Sequence, residues 1–188
     1  VAKKLLICLL ALMLAVALVG CDEVADDSAY EPVVQDAPED AATEDDSADS
    51  DGTTFEDGVL TTDRMIIEIT DYRVIQPGDD GNAFGDGPVI AFWYSVTNLT
   101  DDSMDPTTAW IMTMTAIQDN DPNMTRELSV GLHPDSDLVG NQMADIKEGG
   151  TIENAVAYEL DDETTPIELV ASENLGITSI GSMTFSLD

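Results

Sequence analysis

Apolar and polar positions divide the chain into three stretches. Leu5–Val19 is almost unbroken apolar sequence, Asp22–Asp51 is overwhelmingly polar, and from Gly52 onward short apolar runs alternate with polar breaks. The third stretch reads as β-structure. Arg64–Ile75 (RMIIEITDYRVI) crowds β-branched and aromatic residues together. Val89–Thr97 (VIAFWYSVT) is apolar on both faces, the pattern of a central strand. Trp110–Ile117 (WIMTMTAI) alternates Trp110, Met112 and Met114 against Ile111, Thr113 and Thr115, the period of a strand with one buried face. Further runs are expected at Arg126–Leu132, Thr151–Leu160, Pro166–Ala171 and Met183–Leu187. Turn chemistry separates them: PGDDGN at 77–82, GDGP at 85–88, NLTDDS at 98–103, DNDPN at 119–123 and EGG at 148–150. Only Leu138–Ile146 has a helical texture, and Gly140 weakens it. About seven to eight strands with almost no helix predict an all-β, antiparallel β-sandwich.

The first stretch is a leader. Lys3 and Lys4 precede the apolar run and small Gly20 follows it, the three parts of a secretory signal. As a helix, Leu5–Val19 reaches about 22 Å, short of the roughly 30 Å of bilayer hydrocarbon, so cleavage is expected rather than retention. Leu18-Val19-Gly20-Cys21 resembles the lipobox of bacterial lipoproteins. The resemblance implies cleavage between Gly20 and Cys21 and diacylglyceryl modification of the Cys21 sulfur. Two acyl chains on one residue give a durable anchor where one chain would not. Cys8 would leave with the leader and Cys21 would be lipidated, so the mature domain is expected to fold without a disulfide. The expected organisation is a signal peptide at 1–20, the lipidated cysteine and a disordered acidic linker at 21–54, and a sandwich domain at 55–188.

Charge sharpens this picture. The 188 residues carry a formal net charge of −33, from 39 acids against 6 bases. After the leader only Arg64, Arg73, Arg126 and Lys147 are basic. Nucleic acid is therefore excluded as a partner, because phosphate binding requires Lys and Arg to displace counterions. Residues 22–51 contain 13 acids and no base. Such a segment cannot bury enough apolar surface to offset chain entropy, and it reads as a tether.

The stretches DGVLTTDRMIIEITDYRVI, GPVIAFWYSVTNLTDDSMDPTTAWIMTMTAIQDNDPN and IKEGGTIENAVAYELDDETTPIEL resemble an uncharacterised domain family of Gram-positive lipoproteins. That family is similar to secreted immunoglobulin-like sandwiches, including a mycobacterial immunoprotective antigen. The recurring elements are Val96-Thr97-Asn98 before a polar turn, and Gly149-Gly150 leading into Val156–Leu160. The resemblance implies an immunoglobulin-like architecture and a place on the extracytoplasmic face of the cell membrane. It carries no catalytic residue.

Candidate chemistry is sparse. His133 is the sole imidazole; Asp135 lies near it, but no nucleophile elbow of the G-x-S-x-G kind is present, so hydrolysis is disfavoured. Asp119, Asp121, Asn123 and Thr125 place oxygen donors at positions one, three, five and seven of a calcium-like loop. Met124 then stands where that loop needs glycine and Val130 where it needs glutamate, which favours a plain hairpin turn. Carboxylates from neighbouring loops, such as Asp101, Asp102 and Asp105, are the ones that could complete a non-standard Ca2+ site. Trp93, Tyr94 and Trp110 are either an exposed platform for glycan or peptide or part of the core, and their apolar surroundings favour the core. The functional expectation is a lipid-anchored, non-catalytic binding module for a cell-surface protein or ligand. The alternatives are a calcium or small-ligand binder using acidic loops and, less favoured, a hydrolase.

Overall fold

The computed structural model describes residues 52–173 and 176–187. Gly20, Cys21 and the acidic tether lie outside the described residues. Among the described residues eight strands and one α-helix run in the order β1 (Thr54–Glu56), β2 (Val59–Thr61), β3 (Met65–Ile75), β4 (Val89–Asn98), α1 (Pro106–Thr113), β5 (Met114–Ile117), β6 (Thr151–Glu159), β7 (Ile167–Glu173) and β8 (Thr178–Phe185). They form a β-sandwich: a five-stranded antiparallel sheet, β1-β2-β3-β4-β6, faces a three-stranded one, β5-β7-β8. Setting aside the β1–β2 hairpin, β3-β4-β6 and β5-β7-β8 reproduce the A-B-E and C-F-G strand orders of immunoglobulin domains.

Local chemistry explains the joints. Asp57 and Gly58, at φ 49° and 79°, form a two-residue loop between β1 and β2. Positive φ at both positions is what a type I′ hairpin requires, and Asp-Gly satisfies it at low cost. Gly149, at φ 69°, donates its N–H to the Asn98 carbonyl at 2.7 Å. A side chain on Gly150 would meet the Lys147 carbonyl at 2.9 Å, so the Gly-Gly pair lets the chain turn tightly into β6.

The core lies between the sheets. Phe92 is its hub: its ring sits 5.0 Å from Phe185, 6.0 Å from Trp110 and 6.3 Å from Tyr158. Leu60, Ile67, Ile90, Val96, Ile167 and Leu169 fill the space around it and are fully buried. This is the central-strand role that the two-faced apolar run at Val89 predicted, since β4 is hydrogen-bonded on both edges to β3 and β6.

Three strand assignments need correction. Trp110–Ile117 is not one strand: its first half is the end of α1, and β5 begins only at Met114. The Asp105 carboxylate accepts the Thr108 N–H at 2.9 Å and Pro106 follows at the first helical position. That start signal overrides the strand-like alternation after it. Arg126–Leu132 is likewise no continuous strand. Its first part pairs back on β5, with Leu128 N–H on the Ala116 carbonyl at 2.9 Å. Its second part pairs with β6, with Gly131 N–H on the Ala157 carbonyl at 2.8 Å, so the segment passes from one sheet to the other. The final strand runs over Thr178–Phe185, earlier than the Met183–Leu187 the apolar pattern suggests. In Leu138–Ile146 only Val139–Asn141 is helical, as a 3-10 turn.

Candidate functional site

Three buried amides hold the loops. The Asn98 Nδ2 donates to the carbonyls of Asp102 (2.8 Å) and Ile146 (2.9 Å), while its Oδ1 accepts the Thr100 N–H and hydroxyl. At the opposite end of the sandwich, Gln118 Nε2 donates to the carbonyls of Asp162 and Thr165, and its Oε1 accepts the N–H groups of Asp161 and Asp162. Asn82 clasps the 75–87 loop by donating to the Ile75 and Gly87 carbonyls. In a chain this acidic, neutral amides close the loops without adding buried charge. Sequence reading missed all three, because each sits in or beside polar turn sequence that looks solvent-exposed.

His133 belongs to a hydrogen-bonded chain at the sandwich edge. Its Nδ1 accepts the Asp135 N–H at 3.3 Å, which places the ring proton on Nε2, 3.1 Å from the Asn154 Oδ1. Asn154 Nδ2 donates to the Tyr94 hydroxyl at 3.0 Å and to the Thr107 Oγ1 at 3.2 Å. Tyr94 in turn donates to the Pro106 carbonyl at 3.1 Å. Burial pushes the Tyr94 phenol well above its ordinary range, against the lowering effect of Asn154. The imidazole Nε2 thus ties the loop to β6 while Nδ1 closes the loop on itself, so both ring nitrogens are taken up.

Of the aromatic trio, Tyr94 and Trp110 are core residues, 1% and 0% exposed. Trp93 is half-buried on the outer face of β4. Its indole N–H donates to Asp135 at 2.9 Å and the Arg73 guanidinium lies 4.4 Å from its ring centre. The Trp93 N–H and the N–H groups of Asp137 and Leu138 hold the Asp135 carboxyl below its usual range.

In the calcium-like loop, Asp121 turns its carboxylate back on the loop itself. Asp121 accepts the Asn123 N–H at 2.9 Å and the Asn123 Nδ2 at 3.2 Å, contacts that lower its carboxyl. The loop joins β5 to Arg126–Leu128 as a hairpin would. Asp102 pairs instead with Arg64 at 3.0 Å, and Asp105 caps α1. Two of the carboxylates that could complete a site at Asp119, Asp121, Asn123 and Thr125 are thus bonded elsewhere. Among the described residues no three or more His, Cys, Asp or Glu gather as a group able to hold a metal ion.

Two surfaces have the geometry of recognition. The first is an apolar strip on the β6 edge. Phe84 (90% exposed), Leu132 (61%), Val130 (55%) and Ile111 (58%) are large apolar side chains left in solvent. Phe84 and Leu132 line one hollow, Ile111 and Val130 the next, and Gly131 borders both, so the four form one band. The carbonyl of Ser129 and the N–H of Gly131 bond to β6. The N–H and C=O of Val130 between them consequently point the other way, along the open edge. Asp86 and Glu159 beside the band make its rim acidic. The second surface is a cleft of about 610 Å3 between the start of β3, the 103–105 loop, α1 and the end of β7.

Comparison with known proteins bears on the family and the fold. A family described as "Domain of unknown function (DUF5067)" matches residues 40–173. Among curated proteins no match is found. A solved structure described as a "putative lipoprotein" of Staphylococcus aureus is similar with a TM-score of 0.60 and 21% identity, covering 71% of this chain and 90% of that one. At that identity the likeness is one of fold.

Proposed function

The chain belongs to the family described as a domain of unknown function, DUF5067, and on that premise we propose that it is a lipid-anchored, non-enzymatic module that docks a protein partner outside the cytoplasm. The observation that carries the docking is the band of Phe84, Leu132, Val130 and Ile111 along an open strand edge. An extended segment laid beside Val130 would satisfy its outward peptide groups while its side chains cover the apolar band. The acidic rim and the chain's net charge of −33 select a partner that carries Lys or Arg. They also repel a second copy of the chain. The anchor reading rests on the Leu18–Cys21 motif and accords with the lipoprotein description of the similar staphylococcal structure.

The two halves are tested separately. Cells given labelled palmitate should incorporate it into the wild-type chain and not into Cys21→Ala; equal labelling of both ends the anchor reading. A photo-crosslinking residue at 84 or 132 should trap a neighbour through a basic, apolar stretch, whereas one at exposed Ile177 should not. Trapping from all three positions alike, or of an acidic stretch, ends the docking reading.

A further inference from the structure

The β3–α1 cleft is independent of the apolar band and has the make-up of a small-molecule site. Its volume of about 610 Å3 falls within the roughly 300–1,000 Å3 of ligand pockets. Met65 and Ala109, both nearly buried, form its floor, and Met104 and Met112 its walls. Methionine side chains are unbranched and polarizable, so three of them make a lining that adapts to apolar ligands, aromatic ones included. The polar groups at the mouth are mainly of one sign. Asp63, Asp105 and Glu173 border the cleft, and its single cation, Arg64, is drawn off to Asp102 at 3.0 Å. The N-terminus of α1 opens onto the same cleft, but Asp105 already caps it, which removes its attraction for an anion. The three carboxylates are not gathered closely enough to be a metal-ion site.

We propose that this cleft binds a small amphipathic organic cation, its apolar body on Met65, Met104 and Met112 and its ammonium group facing Asp63, Asp105 and Glu173. The chemistry is complementary at each end: a soft apolar floor for the hydrocarbon and an uncompensated negative mouth for the charge. The field of the whole acidic chain raises the local concentration of cations at that mouth.

The chain's eight methionines supply the readout. The full chain, with its methionine methyls labelled with carbon-13, is titrated with 3-phenylpropylammonium, with the neutral 3-phenylpropanol and with the anionic 3-phenylpropionate. The ammonium ion is expected to shift Met65, Met104 and Met112 saturably, to leave exposed Met124 and Met143 in place, and to bind at least about tenfold more tightly than the other two. The double variant Asp63→Asn with Glu173→Gln should weaken the ammonium ion about tenfold and leave the alcohol unchanged. The buried Met114 signal reports that the variant is folded. Shifts spread equally over all exposed methionines overturn the site, and equal affinity for amine and alcohol overturns its selectivity for cations.

Discussion

The indole N–H of Trp110, on α1, donates to the hydroxyl of Tyr158, on β6, at 2.8 Å in the middle of the core. Both residues are buried, and burial raises the Tyr158 phenol above its ordinary range, with the Trp110 bond opposing it. The indole can only donate, so this hydroxyl is the group that allows a tryptophan to be buried here. Tyr158→Phe keeps the ring and strands the donor. It is expected to lower unfolding free energy by about 1–3 kcal/mol in a denaturant titration. A neutral result would mean that water replaces the hydroxyl.

Asn98→Asp is a harsher change than its size suggests. A carboxylate cannot donate to the Asp102 and Ile146 carbonyls, and it would place a charge at a fully buried position. A loss of at least about 3 kcal/mol is expected. Gln118→Glu should behave alike at the other end of the sandwich, because it faces the Asp162 and Thr165 carbonyls in the same way.

The α1 cap predicts a smaller effect. Asp105→Ala removes the acceptor of the Thr108 N–H and should cost about 1 kcal/mol. Asp105→Asn, which keeps an acceptor, should cost clearly less in the same measurement.

Acid sensitivity should concentrate at Asp162. Its carboxylate accepts the Asn120 side-chain amide, the N–H groups of Thr165 and Thr164, and both threonine hydroxyls, which together hold its pKa far below the usual range. A depressed folded pKa gives stability that is present above about pH 4 and lost as pH falls through the folded value. Asp162→Asn should therefore flatten the stability profile below about pH 4, and the wild-type Asp162 carboxyl should titrate by NMR below the usual aspartate range. Protonation of the other surface acids relieves repulsion and acts with the opposite sign. The difference between the two proteins is the diagnostic.

What the sequence disclosed, and what it hid, follows from range. Val89–Asn98 was legible because a central strand is apolar on both faces and needs no further context, and Thr151–Glu159 because β-forming residues gather directly after the Gly149-Gly150 turn. The β1 and β2 strands are three residues each, too short for a period to register, although Asp57-Gly58 marks their turn. In TSIGSMTF of β8 only Phe185 is buried, so the pattern hardly departs from a loop. The α1 helix was hidden by an accidental alternation, while its true signal, Asp105-Pro106, lay just before it. The amide clasps could not be read at all. Asn98 and Ile146 are 48 residues apart, and nothing local says that a polar turn residue will be enclosed.

The side chain of Trp93, held between the Arg73 guanidinium and the Asp135 carboxylate, gives the molecule an optical asymmetry. One indole is buried in the core and the other lies against a surface loop, so the two are expected to emit at different wavelengths. Red-edge fluorescence would follow the 133–138 loop leaving the sheet, and the blue component would stay constant until the whole domain melts. Local loosening and global collapse become separable in a single cuvette, with no label attached.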